Sequence, residues 1–224
     1  MPNQASDYNK GMGTEKKPTT TVSSGYVAHN ERSRASFLRD GVHVLETFGV
    51  DATTAQIQSV TGVSPTTLYR YFKNRETYLS ESFGSVWVPW IQKSLELASE
   101  FDDELITLVY PMRMILSLHK TNPTLAAIMA HKDWQVESVF PEFQGEWVGK
   151  YRSLVKSGVL PNNQAEERIL PFSGAVLALV KGSFDGLAPE KVNVGFEIAL
   201  SILNLSSAQI KKVMRVPLPI SIGD

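Results

Sequence analysis

Residues 53–79 read TTAQIQSVTGVSPTTLYRYFKNRETYL, and this stretch decides the fold. Thr53 is followed three residues later by Gln56, the capping-box spacing in which each side chain satisfies a free backbone donor of the other residue. Ala55, Ile57, Gln58 and Val60 continue as a short helix, with Ile57 and Val60 three apart on one inward face. Gly62 ends it, since glycine accepts the left-handed conformation at a helix C-terminus. Val63 is the apolar plug of the turn. Ser64 caps the next helix, and Pro65 fits its first turn, where a missing N–H costs nothing. The spacing predicts that this second helix runs over about residues 65–72. A further helix starts near Arg75.

Two short helices around a glycine turn form the pattern of a DNA-binding helix-turn-helix, with the second helix as reader. Leu68 and Phe72, four apart, are expected to point into a small core. Thr66, Thr67, Tyr69, Arg70 and Tyr71 are left on or near the outer face, followed by Lys73 and Arg75. No acid lies between Ser64 and Arg75. Hydroxyls, aromatic rings and a guanidinium suit phosphate oxygens, base edges and thymine methyls; a merely solvated face has no need of Tyr and Thr.

GVSPTTLYRYFKNRETYL resembles the signature of the tetracycline-repressor (TetR) family of bacterial one-component regulators. Gly62, Val63, Ser64, Thr67, Leu68, Tyr69, Tyr71, Phe72, Arg75, Glu76 and Leu79 stand at its characteristic positions. Pro65-Thr66 departs from it, where a pair such as Lys-Gly is common, as does Arg75, where Lys is common. The resemblance covers Glu31 to Leu79. It implies a regulator, most often a repressor, that binds a near-palindromic double-stranded DNA operator as a homodimer and is released by a small-molecule effector. On that reading the DNA contacts fall to Arg34, Thr53, Thr54, Ser64, Pro65, Thr66, Thr67, Tyr69, Arg70, Tyr71, Lys73 and Arg75. It also implies a cytoplasmic bacterial protein, associated with the nucleoid when bound to DNA. The rival reading is a small-molecule-binding or enzymatic helical protein in which the helix-turn-helix is scaffold only.

The 224 residues carry a net charge of −1, which excludes a polybasic nucleic-acid coat. Charge is uneven, however: residues 1–78 hold nine Lys+Arg against seven Asp+Glu, and the remainder 13 against 16. A weakly basic N-terminal part on a mildly acidic body suits local DNA contact. There are no cysteines, which removes disulfides, Cys-ligated zinc and cysteine nucleophiles. No apolar run approaches the roughly 20 residues of a membrane span.

Residues 1–28 are polar and aperiodic and read as a disordered arm; a solvated tail is the default, although Lys10, Lys16 and Lys17 could reach DNA. A first helix is expected from about Glu31 to Phe48, its apolar stripe packing across the two short helices to complete a three-helix DNA-binding domain over 29–78. A long helix from about Arg75 to Ser99 follows, kinked or split at Pro89. The remainder reads as helices over about 105–119, from Pro123, 133–140, 141–157, from Gln164 (capped by Asn162 or Asn163) to Asp185, and 189–213. The fold class is therefore all-α, with about nine or ten helices: the helix-turn-helix domain, an effector-binding and dimerisation domain over 79–214, and a tail over 215–224.

The last two long helices carry small residues on wide apolar faces, which allow close approach. Gly174, Ala175, Ala178, Leu179, Gly182, Phe196, Ala199 and Leu203 are the candidate dimer contacts, since a paired reader needs two-fold symmetry. The body also holds aromatic and Met residues with occasional polar partners. Trp87, Tyr110, Arg113, Met114, His119, Trp134, Trp147 and Tyr151 are the candidate effector contacts, and they suit a largely apolar or aromatic molecule. Phosphate loops and the GxSxG nucleophile motif are absent. His119, His131, Asp133 and Glu137 carry metal-donor atoms, but not in HExxH spacing, and the turn at Pro123 separates the histidines. No catalytic residue, metal or cofactor is expected.

Overall fold

A computed structural model describes residues 24–131 and 141–220. Eleven helical segments and no strand occur among them: α1 Ser24–Phe48, α2 Thr54–Thr61, α3 Pro65–Leu68, α4 Arg75–Ser99, α5 Glu104–Leu116, α6 Leu118–Thr121, α7 Pro123–Met129, α8 Pro141–Lys156, α9 Ala165–Phe184, α10 Pro189–Ile202 and α11 Ser207–Arg215. The fold is all-α, as expected. No helix among the described residues is long and apolar enough to cross a membrane.

The N-terminal module closes around Leu45, Ile57, Leu68 and Phe72, all buried. Tyr78 and Leu79, from the first turns of α4, join them. The Tyr78 hydroxyl donates to the Phe37 carbonyl at 2.9 Å. Burial pushes that hydroxyl's pKa well up, and the charge of Asp40 adds to the effect. α1 crosses α4 at Gly41, where a Cβ would fall 2.0 Å from Ser82 Oγ and 2.9 Å from Tyr78 Cζ. Only hydrogen fits there, so the crossing is set by a single small residue.

α5 is the centre of the body. Every residue from Leu108 to Leu116 is buried, as befits a helix packed on all sides. It touches α4, α6, α8, α9 and α11. α9 and α10 lie against each other, and Gly195 sets their approach: a Cβ there would stand 2.4 Å from Leu179 Cδ2. α1 also packs on α7. His131, just beyond α7, places Nε2 2.8 Å from the Glu46 carbonyl. The carbonyl only accepts, so Nε2 carries the proton.

Several expected boundaries are corrected. α1 starts at Ser24 rather than Glu31, since no Gly or Pro between Tyr26 and Asp40 interrupts it. The helix after Ser64 is α-helical only to Leu68. Beyond it, Arg70 N–H and Tyr71 N–H reach three residues back, to Thr67 and Leu68, a tighter winding over which Leu68 and Phe72 both remain buried. α4 neither splits nor ends at Pro89; the proline is on the exposed side, with Trp87 and Trp90 buried. The helix expected to reach His119 breaks at Ser117 into α5 and α6. Neither Asn162 nor Asn163 caps α9. Gln164 occupies that position at φ 55 without a side-chain cap bond.

The helix expected over 189–213 is two. Asn204 turns the chain at φ 63, and Ser206 restarts it through a capping box with Gln209. The Ser-x-x-Gln signal was present in the sequence and was masked by continuous apolar periodicity. Lys10, Lys16, Lys17, Trp134, Asp133, Glu137 and the helix expected over 133–140 lie outside the described residues.

Candidate nucleic-acid interface

α2 begins with the capping box read from the sequence. Thr53 N–H donates to Gln56 Oε1 at 2.7 Å and Gln56 N–H to Thr53 Oγ1 at 3.3 Å. Gly62 closes α2 at φ 64, its N–H donating to the Gln58 carbonyl. Ser64 caps α3, accepting from Thr67 N–H at 3.3 Å, with the Thr67 hydroxyl 3.0 Å away. Asn74 caps α4 through Thr77 N–H at 2.8 Å. Three successive side-chain caps thus fix three helix starts within 22 residues, and the outward side chains inherit a rigid frame.

That frame sorts the sequence-derived residues into two groups. Thr66, Tyr69, Arg70 and Lys73 are exposed. Tyr69 keeps 40 % of its surface in solvent while its hydroxyl lies 3.4 Å from that of Thr54. The start of α2 and the end of α3 therefore meet in a hydroxyl pair open to solvent. Arg70 and Lys73 have no ion-pair partner among the described residues.

The second group is engaged within the protein. Tyr71, expected on the outer face, is half-buried with its ring edge-on to Phe37 at 5.0 Å. Arg34 is paired with Glu81 and lies over the Phe72 ring, 5.1 Å from its centre. Arg75 donates to Glu76 at 3.0 Å and to the Ala52 carbonyl at 3.3 Å, which staples α4 to the loop before α2. Glu76's own backbone N–H, then Arg75, hold the Glu76 carboxyl below its ordinary range. Arg34 and Arg75 are expected from the sequence to contact DNA, yet Arg34 meets an acid on another helix, Glu81 of α4, a pairing that depends on how α1 and α4 cross, whereas Arg75 meets its own neighbour Glu76. Thr53, Ser64, Pro65 and Thr67 are used chiefly as caps and first-turn residues.

The candidate effector residues do not form one group. Trp87 stacks between Phe83 and Trp90 along α4. Trp147 stacks on Tyr151 at 5.5 Å and on Phe172 of α9 at 4.8 Å. Trp90 Nε1, Trp147 Nε1 and the Tyr151 hydroxyl are buried without a hydrogen-bond partner. Burial raises the Tyr151 pKa; Arg168 opposes the shift and Glu166 adds to it. Met114 is wholly buried in α5. Tyr110 and Arg113 face the C-terminal segment instead: the Tyr110 hydroxyl donates to Pro217 at 3.4 Å, and Arg113 Nη1 to Val213 and Val216 at 2.8 and 2.7 Å. His119 is exposed. No group of three His or carboxylate side chains that could hold a metal occurs among the described residues.

The candidate dimer residues also divide. Phe196, Ala199 and Leu203 are buried inside the subunit, where α10 packs on α9 and α11. Gly182 sits against Leu187 of its own chain, and Ala175 and Leu179 are half-buried. Gly174 and Ala178 are exposed. They line up on α9 with Leu170, 78 % exposed; on α10, Val194 and Ile198 are 57 % and 62 % exposed. Sequence periodicity missed these three because both faces of each helix are apolar.

The chain is all-α, with a capped helix-turn-helix at one end and a helical body behind it. No protein-family model matches the chain, and no curated protein does. Solved structures do. RolR (NCGL1110) in complex with resorcinol is similar at a TM-score of 0.63 and 15 % identity, over 86 % of this chain and 98 % of that one. RolR without ligand is similar at 0.60 and 13 %, over 83 % and 98 %. A TetR family transcription regulator from Marinobacter aquaeolei VT8 shares 22 % identity at a TM-score of 0.48, over 79 % and 97 %. At these identities the likeness is one of fold: this chain has the fold of RolR along nearly all of that protein's length.

Proposed function

We propose that this chain is a TetR-family one-component transcriptional regulator, in its simplest form a repressor. The observation that carries the reading is the rigidly capped α2–turn–α3 unit. It presents Thr54, Thr66, Tyr69, Arg70 and Lys73 outward with no acid between Ser64 and Arg75. Residues of this kind on a reading helix make base and phosphate contacts in a major groove.

Two copies pair across α9 and α10, and a near-palindromic operator receives α3 of each copy in successive major grooves. Support for the pairing comes from the line of Leu170, Gly174, Ala178, Val194 and Ile198, an apolar face with small residues at its middle. The effector enters the body beside Trp147 and Tyr151. Stacked rings and unpartnered donors favour a planar, largely apolar molecule with an acceptor oxygen, and the same fold in RolR was solved with resorcinol. The effector acts by binding one spacing of the paired α3 helices better than the other; without that difference in affinity no release follows.

The test is fluorescence anisotropy with the DNA immediately upstream of the protein's own gene, across a salt series, with random DNA of equal length as control. The expected result is tight binding beyond the control that falls steeply with salt, as phosphate contact requires. Failure to enrich any site from a random DNA pool would overturn the reading and leave the helix-turn-helix as scaffold.

A further inference from the structure

After α11 the segment Val216–Ile220 runs back along α5, where Val216 and Pro217 accept from Arg113 and Tyr110, and it lines one side of a cavity of about 590 Å³. This volume is within the range of small-molecule sites. The cavity is distinct from the aromatic body cluster, since none of Trp87, Trp147 and Tyr151 lines it. Its polar lining is one-sided in charge. Arg113, Lys120 and Arg215 contribute to it, Asn193 and Ser117 add neutral groups, and no carboxylate does among the described residues. Met214 and Leu218 supply an apolar wall, and Ile220 stands at the exposed rim.

Arg113 is the unusual member. It is only 9 % exposed and has no ion-pair partner among the described residues. Both of its hydrogen bonds leave from Nη1, to the carbonyls of Val213 and Val216. Nε is buried and unpartnered. Burial lowers the pKa of the guanidinium, and the Tyr110 hydroxyl is the group that opposes this. A charge removed from water without a counter-ion is held at a cost. Two carbonyl dipoles offset part of it but supply no counter-charge, and a carboxylate is the group that a guanidinium pairs with most strongly.

We propose that this cavity binds a small carboxylate with an apolar body. The carboxylate pairs with the Arg113 guanidinium where it lines the cavity, Lys120 and Arg215 strengthen its field from the solvent side, and the body rests on Met214 and Leu218. The proposal does not depend on the DNA-binding reading. It adds a ligand site at the C-terminal end of the fold, where bound anion also ties the 216–220 segment to α5.

The test is calorimetric titration of the full chain with hexanoate, 1-hexanol and inorganic phosphate. The expected result is saturable one-to-one binding of hexanoate, at least about tenfold tighter than either control. Arg113→Gln is expected to weaken it by about tenfold or more. Lys120→Gln with Arg215→Gln, which alters only exposed side chains, is expected to weaken it about threefold with an unchanged helical spectrum. Equal affinity for 1-hexanol, unchanged affinity in both variants, or no saturable binding would overturn the proposal. Asp224, four residues beyond Ile220, is the chain's own candidate acid; binding that appears only after Asp224→Asn would overturn the proposal in its favour.

Discussion

Tyr69 and Tyr71 stand two apart in one sequence motif and do opposite things. Tyr71 packs its ring against Phe37, while Tyr69 stays in solvent beside Thr54. Tyr69→Ala is therefore expected to leave thermal unfolding nearly unchanged and to weaken operator binding about tenfold. Lys73→Ala is expected to lower affinity on all sequences and to reduce the salt slope by about one. Unchanged anisotropy in the Tyr69 variant would remove that ring from the reading face. Asp103 offers a pH prediction. It caps α5 through Leu105 and Ile106 N–H, both at 3.0 Å, and pairs with Lys212 of α11. Burial opposes its ionisation, but the Lys212 hydrogen bond, the two backbone bonds and the Lys212 charge outweigh it, so its pKa is lowered. A depressed carboxylate stabilises the fold above its unfolded pKa, and that stability is lost as pH falls through the folded value. Urea midpoints should drop on acidification below about pH 4, and Asp103→Asn, which keeps a capping oxygen, should flatten the part of the drop due to Lys212.

Among the elements, two helix crossings hang on single glycines. Gly41 admits α4 against α1, and Gly195 admits Leu179 of α9 against α10. Gly195→Val is expected to destabilise by about 1–3 kcal/mol in urea, as over-packing of a close contact does. Gly41→Val meets Ser82 and Tyr78 at closer range and should cost at least as much. A substitution at Gly174, where a Cβ meets nothing within 4 Å, should cost little within the subunit. The contrast matters because all three glycines look alike in the sequence.

At the scale of the whole molecule, two surfaces bear on the proposed function. The first is the exposed α9–α10 face. Ile198→Glu is expected to shift sedimentation from dimer to monomer and to weaken operator binding with it, while leaving the helical spectrum intact. A dimer that persists in this variant would move the interface elsewhere. The second is the contact of His131 with the Glu46 carbonyl, beside Gly49, where a Cβ would come within 3.0 Å of the imidazole. It joins the end of α7 in the body to the end of α1. His131→Ala is expected to leave operator affinity within about threefold while reducing the effector's ability to release DNA; an unaltered effector response would exclude this contact as a route of coupling.

The caps, the glycine turn, Leu68 and Phe72 as core residues and the all-α class were legible by themselves, because each is set by neighbours within about four residues, where spacing and side-chain chemistry are enough. The pairing of Arg34 with Glu81, the inward turn of Phe196, Ala199 and Leu203, and the division of the aromatic residues from Arg113 were not legible. Each depends on which helix crosses which, and at what distance. Periodicity says that a helix has an apolar face, but when both faces are apolar, as on α9 and α10, only packing decides which is covered. A cation in the sequence has no visible partner until tertiary structure brings an acid from another helix to it, as it does for Arg34, or leaves it with backbone carbonyls alone, as it does for Arg113.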